Sequence, residues 1–256
     1  MEDGIEEHLQ MNGQILGSAE AEECKIDSIS QSWATISGAG DNDKKYISME
    51  NLENHLVDKE NQIIKLLDPP FENSSLEPGY IKSYLPGVRE NGGQYTHAAI
   101  WVIIAQTLLG LGEKATEYFT MINPIEHTRT KTTVNKYKVE PYVIPGDVYG
   151  IGKLAGMGGW TWYTGSSAWY FKAGIEYILG LKIEKQELKI EPNIPSNWKE
   201  YSIRYKFGKT IYSIKVKNPN GKTNGVSKFL LNGNQIEEKK IKIIDDGKIN
   251  EIEIEM

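Results

Sequence analysis

Arg89, Glu90, Asn91 and His97 fall within nine residues of one another, in a stretch with Gly87, Gly92 and Gly93 that runs into an apolar segment. A cation, a carboxylate, an amide and an imidazole on one loop are groups that bind polar ligands or move protons. A second stretch, Glu140 to Tyr170, carries Asp147 and Thr164-Gly165-Ser166-Ser167. Its 29 residues from Tyr142 hold seven aromatics (Tyr142, Tyr149, Trp160, Trp162, Tyr163, Trp169 and Tyr170), more than twice the 10% of the whole chain. Rings interleaved with carboxylates and amides suit a sugar, whose C–H faces stack on rings while its hydroxyls take bidentate polar partners. Thr164 to Ser167 sit where a helical pattern begins, so backbone N–H groups and hydroxyls converge there on an anion. His97, at the start of another helix, completes such a site if the two starts meet, and phosphate is the natural guest.

Each feature also has a plainer reading. Thr-Gly-Ser-Ser is a common N-cap, the aromatic cluster is compatible with core packing, and Arg89-Glu90 is compatible with a local ion pair of little energetic weight. Asp147 and Glu140 are candidates for loop-ordering carboxylates, and Glu22-Glu23 for a solvated approach to a helix. Cys24 reads as a small buried residue, with no His beside it in sequence.

The elements that position these groups change character along the chain. Ile29, Trp33 and Ile36 repeat at helical spacing between Asp27, an N-cap, and Gly38, a C′ residue. Asp41-Asn42-Asp43 opens a second helix with Met49, Leu52 and Leu56 on one face. His97 to Leu109 is almost wholly apolar before Gly110 and Gly112, a helix buried on several sides. Lys114 to Met121 is a short helix stopped at Asn123-Pro124. The last runs from Ser166 to Leu179, with Gly180 beyond it. The sequence thus predicts about five helices and no sheet among them. From Lys182 the period becomes two: Tyr201, Ile203, Tyr205 and Phe207 alternate with polar residues, Gly208-Lys209 turns, and Tyr212, Ile214 and Val216 resume. Asn218-Pro219-Asn220-Gly221 and Asn232-Gly233 are further turns, and strand-like Lys240 to Ile244 and Asn250 to Glu255 flank Asp245-Asp246-Gly247. The tail reads as a small antiparallel β module.

The chain has 256 residues, 39% hydrophobic and 25% charged, enough to bury a core. One cysteine excludes a disulfide framework and a cysteine zinc cage, and fits a cytoplasmic location. No apolar run reaches the ~18 to 20 residues of a membrane span, and the acidic start lacks the basic region of a signal peptide. The net charge of −6 argues against nucleic acid or an anionic membrane as partner. Charge is divided unevenly: residues 181–256 carry 15 Lys+Arg and 11 Asp+Glu, so the first 180 residues hold the whole acidic excess.

Several long motifs occur in order: Glu23-Cys24-Lys25-Ile26-Asp27-Ser28-Ile29-Ser30-Gln31-Ser32-Trp33-Ala34, Pro69-Pro70-Phe71, Pro78-Gly79-Tyr80-Ile81-Lys82, and the run from Arg89 through Gly92-Gly93-Gln94-Tyr95-Thr96 to His97. They continue with Glu140-Pro141-Tyr142-Val143, Asp147-Val148-Tyr149, and Gly158-Gly159-Trp160-Thr161-Trp162-Tyr163-Thr164-Gly165-Ser166. The chain resembles the C-terminal part of glycoside hydrolase family 94. The resemblance is nearest the cyclic β-1,2-glucan synthase and 1,2-β-oligoglucan phosphorylase branch rather than cellobiose phosphorylase. It is strong over residues 20–180 and loose over the tail.

The resemblance implies an α+β chain: an unassigned acidic start at 1–19, part of an (α/α)6 barrel at 20–180 and a β domain at 181–256. It implies inverting phosphorolysis, in which a carboxylic acid protonates the glycosidic oxygen while inorganic phosphate attacks the anomeric carbon. By resemblance His97, Thr164 and Gly165 bind phosphate, Glu90 binds a glucosyl unit near the acceptor side, Trp162, Tyr142 and Asp147 line sugar sites, and Gln31 and Trp33 shape the barrel. Phosphate is a co-substrate, with no metal or organic cofactor, and a β-glucan oligosaccharide is the other partner. The family's general acid lies in an Asp-Trp-Asn-Asp type motif upstream of the segment matching Glu23, and this chain has no such motif. The expectation is a C-terminal piece of a phosphorylase or glucosyltransferase, without a catalytic acid, inactive alone and partnered by the missing N-terminal portion. The alternative expectations are a carbohydrate-binding or docking module, or a nonfunctional remnant. With barrel helices missing, apolar residues such as Ile100 to Ile104 are expected to be partly uncovered.

Overall fold

The structure, a computed structural model, describes His8–Leu9 and residues 15–75, 77–162 and 164–256. Tyr163 and most of the acidic start lie outside the described residues. The chain forms two units: Met1–Leu109 with Glu117–Phe171, and Gly110–Thr116 with Lys172–Met256.

In the first unit, short antiparallel pairs pin the helices. β1 (His8–Leu9) pairs with β2 (Ile15–Leu16), and β3 (Ile26–Asp27) leads into α1 (Ser28–Ile36). The Asp27 carboxylate accepts from the N–H groups of Ile29 (2.7 Å) and Ser30 (3.1 Å), satisfying donors that have no partner within the helix. Gly38, at φ +76°, turns the chain away after the last residue, a conformation that costs glycine nothing. α2 spans Asn42–Leu56 and buries Met49, Leu52 and Leu56. β4 (Val57–Asp58) pairs with β5 (Ile63–Ile64), β6 (Leu67–Asp68) pairs back with β3, and β7 (Gln94–Tyr95) enters α3 (Thr96–Leu108).

α1 packs along α3. Ile100, Val102, Ile103 and Ile104 are all at most 1% exposed, so the expectation that this stretch lies partly uncovered is corrected for them, while Trp101 between them is half-buried. Each such side chain contributes roughly 1.5–3 kcal/mol relative to an exposed one, which makes α3 the core of its unit.

Beyond it come α4 (Gly112–Met121), α5 (Pro124–His127), α6 (Lys131–Tyr137), β8 (Asp147–Val148) and α7 (Ser166–Lys172). Seven α-helices therefore stand among the described residues where five were expected. Asn123 does not only stop α4: its side chain accepts from Ile125 N–H and, with Pro124 at the first helical position, starts α5. α6 is mostly polar, buries Tyr137 and begins at a reciprocal cap between Thr130 and Thr133. The last predicted helix divides, since α7 passes into a wider π-type segment at Ala173–Ile178.

The second unit holds two sheets. β9 (Leu181–Glu184) and β10 (Glu187–Ile190) form a hairpin. β11 (Glu200–Phe207) and β12 (Thr210–Lys217) form another around Gly208 at φ +59°. β13 (Lys228–Leu231) turns through Asn232 and Gly233, both at positive φ, into β14 (Asn234–Gln235). β15 (Lys240–Lys242) joins β10, and β16 (Ile249–Glu255) lies between β12 and β13. β12 and β16 run parallel, Ile214 opposite Ile252 and Val216 opposite Ile254, so the expected antiparallel module is a mixed one. Alternation specifies which face is buried and is blind to strand direction, which is why the sequence did not distinguish the two. Among the described residues no helix is long and apolar enough to cross a membrane.

Candidate functional site

The loop before β7 is tied from beneath. Asn91 is fully buried; its side-chain amide donates to the carbonyls of Phe71 and Tyr84, both at 2.8 Å, and accepts from Phe71 N–H at 2.7 Å. Gly87 N–H donates to Asn91 O at 2.7 Å, closing a tight turn whose tip presents Arg89 and Glu90. Arg89 occupies the left-handed region at φ +49°, its carbonyl accepting from Gly93 N–H at 3.2 Å, and Gly92 follows at φ +82°.

β7 and β8 set the next groups in register. Tyr95 stands opposite Asp147, and Thr96 N–H donates to Gly146 O at 2.9 Å. His97 is the second residue of α3, with its ring stacked on Tyr95 at 5.3 Å between centroids. Behind it Trp101 makes edge contacts with Trp33 at 5.5 Å and Trp169 at 5.9 Å, a packed wall of rings. The loop before α7 crosses the end of β8: Gly159 N–H donates to Asp147 O, Trp160 N–H to Asp147 Oδ1 at 2.7 Å, and Gly146 N–H to Trp160 O at 2.6 Å. A side chain at Gly159 would collide with the Asp147 carboxylate, so glycine is required by this approach.

These segments enclose a cleft of about 300 Å³. His97, Thr164 and Gly165 form one part of its lining, with Tyr95 and Gly146 beside them; Arg89, Glu90, Asp147 and Trp160 form the rest. The two helix starts singled out in the sequence do meet: a Cβ on Gly165 would lie 3.3 Å from His97 Nε2. Among the described residues, His97 Nδ1 and Glu90 Oε2 are buried without a hydrogen-bond partner. Thr164 has a second role, because its hydroxyl accepts from Ser166 N–H at 3.1 Å and pairs with Ser166 Oγ at 2.7 Å, so it caps α7 while lining the cleft.

Burial, at 3% exposure, pushes the Asp147 carboxyl above its usual value, although the Trp160 N–H and the Arg89 charge pull the other way. Burial likewise pushes the His97 imidazole down, towards its neutral form. The cleft thus offers a neutral imidazole, two carboxylates, one guanidinium and hydroxyl and amide groups, a set able to hold a polyhydroxyl ligand and an oxyanion together.

Two sequence candidates fall outside the lining. Tyr142 and Trp162 are 77% and 66% exposed and contact each other edge to face at 6.4 Å. Four lining residues had been given no site role of their own: Arg89, Tyr95, Gly146 and Trp160. Trp160 belonged to the aromatic cluster and Arg89 to the polar run, but composition does not tell which ring or charge borders a cleft. Glu23 was underestimated as well; its carboxylate accepts from the N–H groups of Glu72, Asn73 and Ser74 at 2.9–3.1 Å.

Residues 6–180 match the model of the glycosyl hydrolase 94 superfamily, catalytic domain. The chain is 49% identical over 201 residues to the cyclic beta-(1,2)-glucan synthase NdvB of Rhizobium meliloti (strain 1021), covering 78% of this chain and 7% of that protein. It is 26% identical over 252 residues to the solabiose phosphorylase of Paenibacillus borealis, covering 96% and 31%. It is 28% identical over 230 residues to the N,N'-diacetylchitobiose phosphorylase of Vibrio proteolyticus, covering 90% and 28%. The chain therefore spans less than a third of the length of each of these relatives. With a match to the family model over residues 6–180, well over half its length, the chain belongs to the glycosyl hydrolase 94 superfamily.

Proposed function

We propose that this chain supplies the phosphate- and sugar-binding side of an inverting glycoside phosphorylase or glucosyltransferase site that takes β-linked glucan oligosaccharides. The observation that carries the reading is the meeting of His97 Nε2 and Gly165 in the cleft that also holds Thr164, Glu90 and Asp147. His97, Thr164 and Gly165 hold inorganic phosphate, and Glu90 and Asp147 accept from sugar hydroxyls. Tyr142 and Trp162 contact only sugar units that project beyond the cleft. A phosphate oxygen forms the new bond to the anomeric carbon; the glycosidic C–O bond breaks, and its electron pair stays on the leaving oxygen. That oxygen takes a proton from a general acid, which this reading supplies from a polypeptide segment outside the present sequence. In the same reading the helices of residues 20–180 form part of an (α/α)6 barrel, with residues 181–256 a separate β domain and a cytoplasmic location.

The relatives' names support this class of chemistry, three being a glucan synthase and two phosphorylases. The test is formation of α-glucose 1-phosphate from β-1,2-oligoglucans and phosphate. The chain alone is expected to give none. A complete enzyme containing it is expected to turn over, and to lose about 2–4 kcal/mol of transition-state stabilisation on His97→Ala or Thr164→Ala. Unchanged kinetics in both variants would reject the assignment.

A further inference from the structure

Arg89 is held in the cleft by aromatic faces rather than by a carboxylate. Its guanidinium carbon lies 5.2 Å from the centroid of Trp160 and 5.4 Å from that of Tyr84. One of its five N–H donors reaches the Tyr84 hydroxyl, at 3.4 Å, and this is the guanidinium's only hydrogen bond among the described residues. Glu90 and Asp147 line the same cleft, yet neither forms an ion pair with it among the described residues. The local Arg89-Glu90 pair that the sequence allowed is therefore not formed. Arg89 sits at φ +49°, a conformation a non-glycine residue keeps only where its surroundings hold it, in a turn closed by Gly87 N–H to Asn91 O and Gly93 N–H to Arg89 O. The fork is held by its own loop and two rings, and its remaining donors have no partner among the described residues.

Its place in the cleft points to the kind of ligand. In an inverting displacement the nucleophile and the leaving group lie on opposite faces of the anomeric carbon. Groups on the far side of the anomeric carbon from the phosphate therefore face the sugar that leaves. Arg89 lies over Trp160, whose backbone N–H donates to Asp147 Oδ1, whereas His97 lies against Gly165.

We infer that Arg89 is a sugar-recognising residue of this cleft, whose guanidinium fork donates to a pair of hydroxyls on the acceptor-side sugar and so sets specificity there. The inference rests on the phosphate-and-sugar reading above. A lysine, a single compact charge, does not reproduce a planar fork.

The test is calorimetric titration of the chain with sophorose, the β-1,2-linked glucose disaccharide, and separately with inorganic phosphate. Arg89→Asn suits the left-handed backbone, and Arg89→Lys keeps the charge. Both variants are expected to melt as cooperatively as the parent, to bind sophorose at least about tenfold more weakly, and to bind phosphate within about twofold of the parent. Sophorose binding within about twofold of the parent in both variants would overturn the inference alone, as would equal weakening towards both ligands. Retention of sophorose binding by Arg89→Lys would overturn the fork. A folded parent that binds neither ligand would remove the site reading together with the inference.

Discussion

A methyl group on Gly165 would stand 3.3 Å from Nε2 of His97, so the first turn of α3 and the turn before α7 leave between them only the room that a glycine allows. This contact is tighter than ordinary carbon–nitrogen packing, and Gly165 is a place where the shape of the cleft can be altered with a single carbon. Gly165→Ala is expected to weaken phosphate binding by about tenfold, with a change in stability under about 1 kcal/mol. Calorimetry and thermal melting measure the two. A full loss of stability would show instead that Gly165 serves packing.

Asp147 carries a carboxyl held above its ordinary value, chiefly by burial. If its carboxylate accepts from sugar hydroxyls, sophorose affinity falls as pH drops through a value above the ~3.9 of a free aspartate. Asp147→Asn keeps an oxygen for the Trp160 N–H, so the fold is retained while affinity falls by about tenfold and that acid limb disappears. Binding that titrates identically in the variant would exclude this role.

His127 stacks on Tyr137 at 4.3 Å between centroids, and burial, helped by the Lys136 charge, pushes its imidazole down to about 4. The folded chain thus prefers the neutral ring. Above pH ~6.5 neither state binds the proton; below it the unfolded chain binds first, so stability is lost as pH falls from ~6.5 towards 4, by up to about 3 kcal/mol. His127→Phe keeps a stacked ring and is expected to flatten this part of the profile. Urea unfolding at pH 7.5 and 4.5 measures the difference, and an equal drop in both proteins would contradict it.

Glu23 holds three consecutive N–H groups at residues 72–74, and these outweigh burial to keep its carboxyl below the usual value. Glu23→Ala is expected to cost roughly 1–2 kcal/mol and to raise proteolytic cleavage near Asn73. Limited proteolysis reads this directly, and an unchanged cleavage pattern would show that the segment is held by other contacts.

The parts legible in the sequence were those with a long period or a defined cap. Asp27 and Gly38 bounded α1, the apolar run marked α3, and Asn232-Gly233 marked a turn. β7 and β8 were not legible, because two-residue strands carry no period, and they are what sets Tyr95 opposite Asp147. α6 has no apolar stripe, only a cap. For the site, the meeting of His97 with Gly165 followed from helix starts, whereas Arg89 and Trp160 border the cleft on loops held by a buried amide and a carboxylate hydrogen bond. Tyr142 and Trp162 share the composition of the cleft aromatics and point elsewhere.

On the function proposed above, this cleft binds phosphate beside a sugar. Titration of the folded chain with inorganic phosphate, in the presence of saturating sophorose, tests it most directly. Saturable binding that weakens by about tenfold or more in both His97→Ala and Thr164→Ala is the expected result. A folded parent chain that shows no saturable phosphate binding, or variants that bind as the parent does, would contradict the account.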